Sequence, residues 1–159
     1  MNKGYRTRLH RILELAAWMA LLASLLVAVY GICTLPEEIA THFALDGTPD
    51  GYGSSGTLLL FPLLMVPCLG IISLIAHMVD PTCWNMPFEV KEACKTEVYG
   101  DMLTLLHAIQ LEIAGFMLFT EIQCYRQSGK GMLPAVVLLT AAMAVTIIGL
   151  CILAYRHNR

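Results

Sequence analysis

Two groups of residues in this sequence have the types and spacing to do chemistry. The first lies in the run Leu35-Pro-Glu-Glu-Ile-Ala-Thr-His-Phe-Ala-Leu-Asp-Gly-Thr-Pro-Asp-Gly-Tyr-Gly53, where His42, Asp46 and Asp50 recur every four residues beside Glu37 and Glu38. Imidazole nitrogen and carboxylate oxygen are donors that a divalent metal accepts. The same residues have a second reading, in which Asp46 and Asp50 form Asx-turns with their own backbone and His42 sits at a lipid headgroup boundary. As a site for a ligand or partner, the run offers His42, Phe43, Asp46, Gly47, Asp50 and Gly51. The second group is Thr104, His107 and Gln110, a polar stripe at three-residue spacing, with Glu112 close by in an apolar stretch. A carboxylate in hydrocarbon is costly enough to need a partner, a proton or a water-filled gap. At about 100° per residue, His107 lies about 140° around a helix from Glu112, so the two are expected to face different neighbours. The stripe then either serves transport or simply hydrogen-bonds within a bundle. No HExxH, GxSxG, P-loop or dinucleotide fingerprint is present, so no catalytic residue is assigned; the enzyme reading left open, behind the others, is a metal-dependent membrane enzyme built on the loop. No cofactor is expected.

The elements that must position these groups are membrane spans. The chain is 57% hydrophobic and 14% charged, with a mean hydropathy of +0.67, whereas soluble domains carry about 25% charged residues. Stretches of about 20 apolar residues cross a bilayer as helices. They fall at 15–34, 57–78, 102–122 and 132–155, and the third holds because its many Leu, Ile, Met and Phe side chains offset one acidic residue at about +3 kcal/mol. The expected fold is an all-α integral membrane four-helix bundle, a single membrane domain over 1–159. In the last span Thr140 with Ala144, and Ala142 with Thr146, place small residues four apart, a spacing that admits a neighbouring backbone. The net charge of −2 and the lack of a long basic block argue against nucleic acid as a partner.

Orientation follows from the basic residues. Lys3, Arg6, Arg8, Arg11, Lys91, Lys95, Arg156 and Arg159 fall on one side, and only Arg126 and Lys130 on the other. This makes both termini cytoplasmic and puts the 35–56 loop outside. The first apolar run is too long for a signal peptide and lacks a cleavage pattern, so it is expected to be retained. Ahead of it, Tyr5, Leu9, Ile12, Leu13 and Ala16 share one stripe, the pattern of an interfacial helical turn.

In the outer loop, Pro36, Glu37, Glu38, Ile39 and Phe43 predict a short amphipathic helix on the bilayer. Asp46-Gly47 and Pro49-Asp50-Gly51 then give two turns, and Ser54 or Ser55 caps the next span. In the cytoplasmic loop 79–101, Pro81 and Pro87 predict extended chain. From Glu89 a helix is predicted to run into the third span, with Glu92 and Lys95 paired. Of six cysteines, none form a CxxC pair. Cys68 and Cys151 read as packing residues, Cys83 and Cys94 as reduced thiols, and Cys33 with Cys124 as a pair that an oxidising outer face would allow.

The outer loop resembles the signature of a family of small bacterial membrane proteins of unknown function, one that also forms the N-terminal part of Sdp-type toxin immunity proteins. Its pattern reads Leu-Pro-x-x-Ile-Pro-x-His-Phe-Asn-x-x-Gly-x-x-Asp-Gly-x-Gly-Ser-Lys, followed by a span. Leu35, Pro36, Ile39, His42, Phe43, Gly47, Asp50, Gly51, Gly53 and Ser54 match it, while Ala44 and Ser55 replace its Asn and Lys. A looser similarity runs through Trp84-Asn-Met-Pro87, Glu92 and Tyr99. The resemblance implies the bacterial cytoplasmic membrane. It also implies, besides the lipid bilayer, a secreted peptide or another membrane protein as partner, with toxin immunity or envelope sensing as the activity.

Overall fold

The computed structural model describes residues 4–44 and 46–159; Lys3 of the basic cluster and Leu45 of the loop motif lie outside the described residues. Four helices carry the fold: α1 (Arg8–Thr34), α2 (Leu60–Met78), α3 (Lys95–Tyr125) and α4 (Met132–His157). Each has an apolar window long enough to cross a membrane. At 1.5 Å per residue the shortest, α2, reaches about 28 Å, and the 3₁₀ turn Ser55–Leu59 leading into it lengthens the span.

The interior reverses the rule of soluble proteins. Large apolar side chains such as Leu22, Leu26, Leu63, Leu74, Leu138 and Ile148 point outward. Beside a few large apolar side chains such as Met65, Leu69 and Leu103, buried positions go to small residues, Ala17, Ser24, Ala28, Gly31, Ala114 and Ala154, and to polar ones, His10, His107, Gln110 and Glu121. Small residues let helices approach where hydrocarbon supplies no hydrophobic drive between them, and polar residues then bond across the seam. The chain is therefore an all-α four-helix membrane bundle.

Helix α3 is its centre and touches the other three, whereas α4 rests on α3. Among the residues of α4, only Ala154 is buried. Of its small-residue pairs, Thr146 reaches α3 and Ala142 lines a groove against it, while Thr140 and Ala144 are exposed. Three apolar clusters stack along the bundle. At the end where both termini lie, Val98, Met102 and Ala154 pack with Trp84, Met86, Phe88 and Val90. Ala17, Met65, Leu69 and Ala114 form the middle layer. Ala28, Ile39, Leu58 and Cys124 lie under the loop at the opposite end.

The expected interfacial turn is instead part of α1, which begins at Arg8 and carries His10 inward. The backbone N–H of Thr7 donates to His10 Nδ1 at 3.0 Å, satisfying one free donor at the helix start. Before α3 the helix predicted from Glu89 is shorter than expected: a 3₁₀ turn covers Glu92–Cys94 and α3 starts at Lys95. The pair Glu92–Lys95 forms at 2.6 Å. Residues 84–91 are a strap packed on the core and tied to the end of α4, since Asn158 donates to Glu89 O at 2.7 Å and accepts from Lys91 N at 2.9 Å, and Lys91 Nζ donates to Arg159 O at 2.9 Å. Competition from this distant carboxamide explains why the backbone at Glu89 and Lys91 leaves the helix.

The larger correction concerns the loop after α1. Residues predicted as an amphipathic helix form a two-stranded antiparallel hairpin, β1 (Glu38–Phe43) with β2 (Pro49–Ser54). Pairing runs Glu38↔Ser54, Ile39↔Gly53, Ala40↔Tyr52, His42↔Gly51 and Phe43↔Pro49, with irregular register around His42. The turn closes through Gly47 N to Ala44 O and Ala44 N to Thr48 O, both 2.8 Å. Gly47 has φ +85°, a conformation glycine adopts at little cost. A chain that reverses so tightly after Phe43 pairs with itself, and β-branched Ile39 and Thr41 favour that state. Gly51 is required by the pairing: a Cβ there would lie 2.9 Å from His42 Cβ.

Candidate functional site

The hairpin end carries the first site. His42 and Asp50 sit on opposite strands and meet across the register irregularity, with His42 Nδ1 2.5 Å from Asp50 Oδ1. Their side chains are 74% and 45% exposed, so the pair faces outward rather than into a core. His42, Phe43, Ala44, Asp46 and Asp50 border an open depression of about 610 Å³. Asp46 does not join His42. Its carboxylate accepts from Thr48 Oγ1 at 2.6 Å and Thr48 N at 2.9 Å, an Asx-turn that shapes the hairpin tip. These hydrogen bonds, the hydroxyl's first, hold its carboxyl below the usual aspartate range. Among the described residues no three His, Cys, Asp or Glu side chains converge well enough to hold a metal, so the donor set of the metal reading is dispersed.

What makes this site a platform is its attachment to the α3–α4 connection. Ala40 N–H donates to Gln127 Oε1 at 2.6 Å, and Gln127 Nε2 donates to Cys124 O at 2.5 Å. Gly129 N–H donates to Gly47 O at 3.2 Å. Gly129 also fits where no side chain would, since a Cβ there would come within 2.7 Å of Phe43 and 2.9 Å of Gly47 Cα. Gln123 Nε2 donates to Lys130 O and ties down the same connection. Sequence reading missed Gln123, Gln127 and Gly129. The available signal was a Gly-containing loop directly after a span, which marks a turn or a close approach but not what approaches. Cys124 is buried beneath the hairpin and Cys33 is exposed, both as free thiols.

The intramembrane residues divide between partners. Thr146 Oγ1 of α4 donates to Glu112 Oε1 at 2.6 Å, and Glu112 Oε2 is buried without a partner among the described residues. His107 Nδ1 lies 3.0 Å from Gln110 Oε1, and Gln110 Nε2 donates to Leu69 O and Ser73 Oγ of α2 at 3.0 and 2.9 Å. Thr104 meets His10 of α1 at 2.8 Å. The stripe thus bonds within the bundle and faces α1 and α2, while Glu112 faces α4, the separation its helical spacing predicts.

Three further groups escaped the sequence reading. Ser24 of α1 donates to Glu121 of α3, a fully buried carboxylate nearer the hairpin end. Glu14 accepts from Arg6 at 2.7 Å and pairs with His77 at 2.9 Å. His10 stacks near His107, ring centroids 5.9 Å apart. Glu14 precedes the first apolar run by one residue and Glu121 lies one residue before the end of the third. The structure continues the helices past those edges.

Comparison with known proteins adds one finding. Residues 19–66, from the middle of α1 through the hairpin into α2, match the family model described as Domain of unknown function (DUF1648). The hairpin lies wholly inside the matched stretch. No curated protein and no solved structure matches the chain.

Proposed function

We propose that this chain is a multi-pass protein of the bacterial cytoplasmic membrane that presents its hairpin outside and recognises a secreted peptide or a membrane partner there, as an immunity or envelope-sensing protein. The observation that carries this reading is the exposed His42–Asp50 pair, held on a hairpin pinned to the α3–α4 connection through Gln127 and Gly129. A scaffold of that kind pre-organises a surface, so ordering costs are met before a partner arrives. Tyr52, 64% exposed on the same hairpin, adds an aromatic of the kind that anchors interfaces. A photo-crosslinking residue at position 52 tests the reading in cells. A crosslinked peptide or membrane protein that disappears with His42→Ala supports it, and a hairpin that crosslinks to nothing but lipid overturns it.

A second reading has an observation of its own. Glu112 borders a groove of about 370 Å³ between α3 and α4, lined also by Gly115, Phe119, Leu138 and Ala142. Intramembrane carboxylates of this kind line substrate or ion pathways, which favours a transport or envelope-processing component. The two readings part at Glu112→Gln, which leaves partner recognition unchanged in the first and stops activity in the second.

A further inference from the structure

At the termini end, α1, α2 and α3 bring together two buried histidines, His10 and His107, and the exposed His77, and the hydrogen bonds around them fix where each carries its proton. The backbone N–H of Thr7 donates to His10 Nδ1. His10 therefore holds its hydrogen on Nε2 and donates it to Thr104 Oγ1, which in turn donates to Gly100 O at 3.0 Å. Arg6 Nη1 lies 2.8 Å from His77 Nδ1 and must be the donor, so His77 holds its hydrogen on Nε2 and donates it to Glu14. Both amide hydrogens of Gln110 go to Leu69 O and Ser73 Oγ, which leaves Gln110 Oε1 to accept from His107 Nδ1. His107 alone of the three is of the opposite tautomer. Its Nε2 is a bare acceptor that meets no donor among the described residues, on a side chain 0% exposed.

We propose that His107 Nε2 is a proton-binding site inside the bundle, loaded from the termini end. A proton delivered there by hydronium forms one N–H bond, breaks one O–H bond and leaves water. No existing hydrogen bond is lost. The same proton on His10 would break the bond at the start of α1, and on His77 it would break the bond from Arg6. Groups near His107 are Arg6, His10 and Glu14 from α1 and the residues before it, His77 from α2, and Gln110 from its own helix. Arg6 and Glu14 pair with each other at 2.7 Å, so their opposite charges offset one another beside the site. Polar groups near the site lie on its termini side: the His77 side chain is 44% exposed and contacts Glu14, and Ser73 accepts from Gln110. Toward the hairpin, Ala17, Met65, Leu69 and Ala114 close the seam with apolar surface. The site thus loads from one side, and the bundle registers proton concentration on the side its termini face.

Nitrogen NMR of the whole chain, labelled with ¹⁵N-histidine in lipid nanodiscs, reads each imidazole tautomer directly. His107→Gln identifies the signal, and single His→Gln changes at the other four histidines identify it by elimination if that variant fails to insert. At pH 8 His107 should show hydrogen on Nδ1 while His10 and His77 show it on Nε2. As the pH is lowered from 8, the two His107 nitrogens should converge on imidazolium shifts before His10 loses its tautomer. A His107 that retains one bare nitrogen throughout, that carries its hydrogen on Nε2 at pH 8, or that titrates after His10 overturns the proposal. In oriented proteoliposomes, acid on the hairpin side alone should leave His107 neutral, and protonation under that condition would refute loading from the termini end.

Discussion

At the scale of single residues, polar atoms in this protein are placed by what they would cost if left alone. Glu112 keeps one oxygen on Thr146 and one without a partner. An acidic residue at the centre of a span costs about 3 kcal/mol on insertion scales. Glu112→Leu is thus expected to make insertion of the isolated third span more favourable by about that amount in a quantitative insertion assay. Asp46 shows the opposite economy, since it is exposed and tied to Thr48. Its folded carboxyl titrates below its unfolded value, so the turn's stabilisation is present above the unfolded pKa and is lost as pH falls through the folded one. The amide resonance of Thr48 should hold steady from neutral pH to about pH 4, the ordinary aspartate range, and shift only below it. Asp46→Asn should remove that titration.

At the scale of elements, the hairpin and the strap are both held by side chains from far along the chain. Gln127 lies 87 positions from the Ala40 amide it accepts from. Gln127→Ala strands a buried donor, a loss of about 1–3 kcal/mol, and hydrogen exchange at Ala40 should accelerate by about tenfold or more while the helices stay protected. Unchanged exchange would mean that the hairpin stands without this tie. Gly51→Ala should disturb the same element from within, because its methyl would meet His42 Cβ at 2.9 Å. Overpacking of this kind costs about 1–3 kcal/mol, and the loss should appear as a broken His42–Asp50 contact. Asn158→Ala is the matching test at the other end. It removes both carboxamide bonds to the strap, and limited proteolysis should then cut within 84–91.

For the whole molecule, the decisive matter is which end faces which side of the membrane. With native cysteines replaced, a cysteine at position 52 should react with a membrane-impermeant thiol reagent on intact cells, and one at position 159 only after the membrane is opened. The reverse pattern would place the hairpin inside and remove the reading of an outer recognition surface. This result also bears on His107, since it decides which compartment the proposed proton site would sample.

The sequence by itself determined the membrane class and the four long apolar helices, because transfer into hydrocarbon is nearly additive along a local window, while α1 and α3 begin at Arg8 and Lys95, ahead of the apolar runs. It likewise marked the 35–53 motif, which lies wholly within the stretch that matches a family model, and the turn at Asp46-Gly47, which depends on residues adjacent in the chain. Tertiary structure decided the rest. Ile39 and Phe43 fit a helix face by spacing, but strand pairing with 49–54 and the Ala40–Gln127 bond outweighed that local pattern. Local windows also missed Glu121, whose partner Ser24 lies 97 positions away, and Glu14, on which Arg6 and His77 converge. A buried polar group is defined by what surrounds it, and in this bundle the surroundings come from another helix.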